Sequence, residues 1–318
     1  MRGPWNPENY EGLFVAYLNL NQLEAARTTA DEAEMKKLDS VDLHQHLYQL
    51  AFLRKDDREM AQQVAWAEGK QSVEDVLLSY EADTAAFIGK IERARELSRR
   101  AIASAEQAGE KETAANYQAQ SAMREALFGY AADARKQAAD AIALSAGREV
   151  EARAAFALAL AGSGSAQTLA DDLDRRFRED TIVQFIFLPI IQAQLALNHG
   201  DVANAIKVLD ASASYELGDA SPLNLPFALY PFYLRGNAFL ASNRGAEAAA
   251  EFQKILGLPG VVLNEPIGAL AHKGLACAYA LQGETEKARA SYEEFINLWH
   301  DSDAQIPVFQ EAKSCSAT

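Results

Sequence analysis

Apolar residues recur every three or four positions along almost the whole chain, and short polar turns interrupt them at regular intervals. That spacing predicts amphipathic helices, taken in pairs. The clearest pair begins near Ala269, where Leu275-Ala276, Tyr279, Gly283, Ala288, Tyr292 and Phe295 follow in order. They set a small residue, an aromatic, a turn glycine, an alanine and two bulky residues in a fixed register. The pair before it begins near Leu229 and keeps the register with Gly236, Phe239, Asn243, Ala248, Phe252 and Ile255. Carried backwards, the frame puts Ala26, Met60, Ala94, Ala134, Ala166 and Ala205 at the second small-residue position. It puts Asn21, Lys55, Gly89, Gly129, Ala161 and Gly200 at the turn. Repeats then start near 7, 41, 75, 115, 147, 186, 229 and 269. Met60 and Lys55 are the two departures from the pattern.

Two helices joined by a short turn must approach closely. Small residues permit that approach, and large ones fill the space beside them. A single hairpin cannot bury its apolar face, so neighbours stack into a continuous core. The predicted fold class is all-α: a right-handed α-solenoid superhelix of about eight helical hairpins with a short C-terminal capping helix. Residues 1–6 read as a disordered or tag-like start, 7–300 as the array, and 301–318 as the capping helix and a frayed tail. Asp301-Ser302-Asp303 reads as the N-cap region of a helix from Ile306 to Lys313. The longest insertion, Ser212 to Pro226, holds two prolines and a glycine and reads as a loop that could line a binding groove.

Composition strengthens this picture. Alanine, the best helix former, accounts for 62 of 318 residues, against 18 glycines and 9 prolines. The formal net charge is −15, and basic clusters such as Arg99-Arg100 and Arg175-Arg176 are short and flanked by acids. A nucleic-acid partner, which needs a basic patch, is disfavoured. The uncharged stretch Thr181–His199 has the length of a membrane span, yet it contains Gln184, Pro189, Gln192, Gln194 and Asn198. It reads as a buried repeat helix with its loop, so no direct membrane insertion is expected. The cysteines, Cys277 and Cys315, form no metal motif and indicate no disulfide framework. His44 and His46 stand two apart and face different sides of a helix, so they cannot share a metal. No phosphate-binding loop, zinc-protease motif or nucleophile elbow occurs. Neither catalysis nor a cofactor or metal is expected.

With these residues in register, the chain resembles tetratricopeptide-repeat (TPR) proteins. In particular it resembles the C-terminal TPR region of bacterial multidomain serine/threonine protein kinases and membrane-anchored winged-helix transcriptional regulators. Tyr215-Glu216-Leu217-Gly218, Tyr233-Leu234-Arg235-Gly236, Ala248 to Leu256 and Pro266 to Asp303 carry the resemblance. Tyr48 to Leu53, Gln63 to Lys70 and Ala94 to Ala101 extend it. It implies a non-catalytic interaction or sensor region, and the chain contains no kinase motif.

The first expectation for function is a scaffold that binds a peptide or protein partner on its concave face. In the TPR fold that face is lined by set positions of each first helix. Here they include Asn19, Gln49, Asn116, Gln194, Asn198, Tyr230, Tyr233, Asn237 and Lys273. Amides can satisfy a peptide backbone, and tyrosines supply contact area at low entropic cost. The alternative is the sensor part of a larger kinase or regulator whose effector domain is not in this chain, which begins almost inside its first repeat. The expected compartment is cytoplasmic, or periplasmic for a membrane-anchored protein. Homo-oligomerisation is left open.

Overall fold

The computed structural model describes residues 7–217, 227, 229–303 and 305–310. Among the described residues there is no strand, and the helices form eight consecutive hairpins. They are α1 (Pro7–Asn19) with α2 (Leu23–Met35), α3 (Val41–Arg54) with α4 (Asp57–Ala67), and α5 (Glu74–Phe87) with α6 (Ile91–Gln107). Next come α7 (Lys111–Leu127) with α8 (Ala131–Leu144), and α9 (Arg148–Leu160) with α10 (Ser165–Arg176). A π-helical turn, Val183–Phe187, then runs into α11 (Leu188–Asn198), which pairs with α12 (Val202–Ser212). The last pairs are α13 (Tyr230–Ala241) with α14 (Gly245–Leu256), and α16 (Pro266–Leu281) with α17 (Thr285–Leu298). The one-turn helix α15 (Pro259–Val262) separates these two pairs. The chain is an all-α solenoid of helical hairpins.

Every hairpin turns through one residue in the left-handed region: Asn21, Lys55, Gly89, Gly129, Gly162, Gly200, Asn243 and Gly283. Seven of these are the turn positions read from the frame. The exception is the fifth hairpin, where Gly162, not Ala161, takes the positive φ of 65°. Lys55, with φ 57°, is strained because its Cβ crowds the following carbonyl. Lys55→Gly should therefore stabilise the chain by about 1 kcal/mol, read as a higher urea midpoint at unchanged slope.

The small-and-large logic of the frame is visible in the packing. Ala26, Ala134, Ala166, Ala205 and Ala248 are wholly buried. The ring of Phe252 lies against two glycines of neighbouring helices. A Cβ at Gly236 would fall 2.7 Å from it, and one at Gly274 would overlap it outright. Met60 has the opposite effect. Too long for a small-residue site, it lines an open groove of about 470 Å³ with Val64 of α4, Leu78 and Ala85 of α5, and Ile88 beyond the end of α5. The first two hairpins accordingly keep a core of their own around Phe14, Leu18, Leu47 and Leu50.

The array closes on itself. Helix α16 packs against α5, and α15 packs against α1. Asn264 donates to the Tyr80 carbonyl at 2.8 Å and to Thr84 Oγ1 at 3.0 Å. The Trp299 indole N–H donates to the Phe87 carbonyl at 2.9 Å. Trp299 also packs edge-on against Phe128 and at a tilt against Phe295 and Phe309, with ring centroids 4.8–5.7 Å away. Gly89 leaves room for this seam, since a Cβ there would sit 2.7 Å from Ser302 and 2.9 Å from Trp299.

The tail departs from expectation at Asp303. Its carboxylate accepts from the Glu92 backbone N–H at 2.8 Å, and its own N–H donates to the Gly89 carbonyl at 3.0 Å. It thus caps the N-terminus of α6, whose own cap residue Lys90 makes no side-chain bond, and complements that helix's dipole. Ile306 and Val308 are buried beside Phe128, so the segment plugs the seam with apolar side chains. A helical turn at 307–310 is all that is described of the expected helix to Lys313. Residues 1–6, the loop core 218–226 and the tail 311–318 lie outside the described residues. Cys277, buried in α16, is disulfide-bonded, which its spacing did not signal. Among the described residues no helix is long and apolar enough to cross a membrane.

Candidate functional site

Four successive first helices each carry polar residues four apart, which brings them onto one face. They are Gln45 and Gln49 on α3, Asp75, Ser79 and Asp83 on α5, Asn116, Gln120 and Arg124 on α7, and Glu149 and Arg153 on α9. Stacking of the hairpins lines these stripes up side by side. The segment from Val261 to Glu265, held by the Asn264 bonds to α5, crosses over them. Between the two lies a cavity of about 540 Å³, within the range of sites that hold small ligands or a few peptide residues.

Its walls are built by a hydrogen-bonded network. Asp83 accepts from Gln120 Nε2 at 2.7 Å and forms a buried ion pair with Arg124. Arg124 also donates to Ser98 Oγ at 2.7 Å, which passes a bond on to the Ala94 carbonyl at 2.6 Å. Ser79 donates to Gln120 Oε1 at 3.2 Å. Arg153 donates to Asn116 Oδ1. The Tyr117 hydroxyl donates to Asp75 Oδ2 at 2.9 Å. The other oxygen of Asp75 is buried with no hydrogen-bond partner, an expensive state for a carboxylate. Burial raises the Asp75 pKa, and it lowers that of Arg153.

Glu265, in the roof, is pushed up to about 8 by burial and by the nearby Asp83 carboxylate, against the opposing pull of Arg124 and Arg153. The folded state therefore holds a proton that the unfolded chain releases near the ordinary glutamate value of 4.5. Linkage makes stability fall as pH rises from about 4.5 to about 8 and level off above that. Glu265→Gln should flatten this slope, as measured by urea unfolding at pH 5, 7 and 9. An unchanged slope would place the carboxyl in a water-like setting.

Of the residues expected to line a binding face, Gln49 and Asn116 meet in this cavity. The others lie elsewhere. Gln194 donates to Asn198 at 2.9 Å, and Asn198 donates to the Ala159 carbonyl at 2.6 Å, tying the fifth and sixth hairpins. Tyr230 is 1% exposed and packs against Phe156 and Phe227, so it belongs to the core; bulk and burial, not a partner, account for it. Tyr233 sits half-buried beside Tyr230 and Phe252. Asn19, Asn237 and Lys273 are half-buried outside the cavity lining. The sequence reading missed Asp75, Asp83, Arg124, Arg153 and Glu265. The stripes on α5, α7 and α9 were the available signal, since acids and arginines there share helices with wholly buried alanines.

No protein-family model matches the chain, and no curated protein matches it. Solved structures with similarity to it include the P58(IPK) TPR domain, at 13% identity and a TM-score of 0.31. That alignment covers 97% of this chain and 98% of the other. Yeast Tom70 is similar at 13% identity and a TM-score of 0.41, over 98% of this chain and 88% of that one. The hairpin architecture stands on this chain's own helices and turns.

Proposed function

We propose that the chain is a non-catalytic binding module that takes a short segment of a protein partner into the cavity under residues 261–265. The observation that supports this reading is the convergence of four polar stripes on one ligand-sized space. Amides of Gln49, Asn116 and Gln120 line this space, and beyond the network bonds each keeps a second N–H or lone pair for a segment's backbone groups. The network that holds them is fixed before any ligand arrives, which lowers the ordering cost of binding. Thr113→Trp, at a half-buried position in the cavity lining, tests the reading. Peptides selected from a random display library on the wild-type chain should lose at least tenfold in affinity for this variant, with its helical circular dichroism unchanged. Equal affinity for both forms would move the binding surface out of the cavity.

The alternative role, as the regulatory part of a larger kinase or transcriptional regulator, uses the same cavity as a sensor. An antibody against this chain separates the two on fractionated cells. A band near 34.6 kDa in the soluble fraction fits the stand-alone module, and a much larger band in the membrane fraction fits the regulator.

A further inference from the structure

The cavity has a marked charge asymmetry. Six carboxyl residues line it, Asp75, Asp83, Glu110, Glu112, Glu149 and Glu265, against one guanidinium, Arg153, and no lysine. Asp83 is spent on Arg124 and Gln120. Asp75 is different: the residue is 1% exposed and one of its oxygens has no donor among the described residues. Glu265, on the opposite side, is half-buried in the cavity lining near Asp83. One carboxyl oxygen in this space is thus left without a donor, with a second carboxyl, Glu265, across from it. The aromatic rings of Tyr80 and Tyr117 line the same space, and such faces attract cations. Among the described residues no cluster of metal-ligating side chains occurs.

We propose that the cavity binds a protonated amine or guanidinium, the lysine or arginine side chain of the partner segment, at Asp75 and Glu265. This deepens the reading of the cavity as a peptide site and rests on it. A cation beside Asp75 compensates a buried carboxylate whose side-chain donor is the Tyr117 hydroxyl. At Glu265 the cation favours the carboxylate over the acid that predominates at pH 7, and the displaced proton passes to solvent. The groups facing this exchange are Asp75, Tyr80 and Asp83 on α5, Glu110, Glu112, Tyr117 and Arg124 on or beside α7, Glu149 and Arg153 on α9, and Tyr230 on α13. Binding is therefore expected to release protons near neutral pH and to tighten as pH rises toward 9.

The test is isothermal titration calorimetry on the full chain with three probes: a capped hexapeptide mixture with one fixed lysine, the same mixture with acetyl-lysine, and spermidine. Repeating the titration in two buffers of different ionisation enthalpy reads the proton release. The lysine mixture should bind at least tenfold more tightly than the acetylated one, and Asp75→Asn or Glu265→Gln should weaken it at least fivefold. Asp171→Asn, on an exposed helix face, should leave it unchanged. If both mixtures bind equally, or neither variant weakens binding, the cation site is wrong while the peptide reading stands. If spermidine binds in an Asp75-dependent way and neither mixture does, the cation chemistry stands and the peptide reading falls. No binding by any amine overturns the cation site. Should Asp75→Asn fail to fold, Glu265→Gln decides alone, since Glu265 is only half-buried.

Discussion

Trp299→Ala is expected to cost about 3–5 kcal/mol and to open the ring that the hairpins form. Trp299 is 1% exposed and ties the C-terminal segment to the third and fourth hairpins. It packs on Phe128 at 5.5 Å and hydrogen-bonds the carbonyl at the end of α5. Its loss leaves a cavity at the seam and an unpaired Phe87 carbonyl. Small-angle scattering should show a larger radius of gyration at temperatures where helix content is still that of the wild type. Trp299→Phe keeps most of the ring packing and removes the N–H, so it should cost about 1–3 kcal/mol and stay closed. An alanine variant with wild-type dimensions would mean that α15 and α16 hold the seam without it.

Arg235→Ala is expected to be comparably damaging, for an electrostatic reason. Arg235 is 4% exposed and lies between two buried carboxylates. It donates to Glu216 through both terminal nitrogens, and to Glu251 from Nε at 3.1 Å and Nη2 at 3.0 Å. Phe232 covers the guanidinium at 5.2 Å. Removing the cation leaves two buried carboxylates, of which Glu251 keeps Lys254 at 2.6 Å. Breaking such a pair costs about 3–5 kcal/mol. Arg235→Lys should recover little, because an ammonium cannot serve both carboxylates with a planar fork. Arg235→Met combined with Glu216→Gln and Glu251→Gln should recover most of the loss, since no buried charge then lacks a partner. Thermal melts of the four chains check this. If the triple variant is no better than Arg235→Ala, shape and not charge holds that junction.

The hairpins were legible in the sequence because their determinants are local. A small residue, a turn residue and a bulky residue at fixed spacing act within one helix pair, so Ala248, Asn243 and Phe252 suffice to identify the seventh hairpin. Even the anomaly at Lys55 proved to be a true turn under strain. The closure was not legible, because its bonds join residues 180 to 214 positions apart. Asp303 followed by a short apolar run looks like the cap of its own helix. Nothing within the tail says that Glu92 is the nearer donor. The cavity lining was half legible for the same reason. Frame positions found Gln49 and Asn116, but an open groove was assumed, and in an open groove Asp75 and Arg153 would be ordinary solvated charges. Tyr230 misled because an aromatic residue near a loop looks the same in sequence whether it faces a partner or the core.

The seam also governs how the molecule reaches its fold. In an open repeat array, stability is a sum of nearest-neighbour terms, and the ends fray independently of the middle. Here the last described residues cap and seal the third and fourth hairpins, so the C-terminal end cannot peel away without exposing them. Closing so long a stretch of chain costs entropy before any contact rewards it, which slows folding. Synthesis imposes a further delay. At about 5–20 residues per second, Asp303 leaves the ribosome on the order of 10–40 s after the helix it caps. Throughout that interval the first hairpins stand with an uncapped α6 and a bare Phe128, and their polar stripes face water with no roof above them.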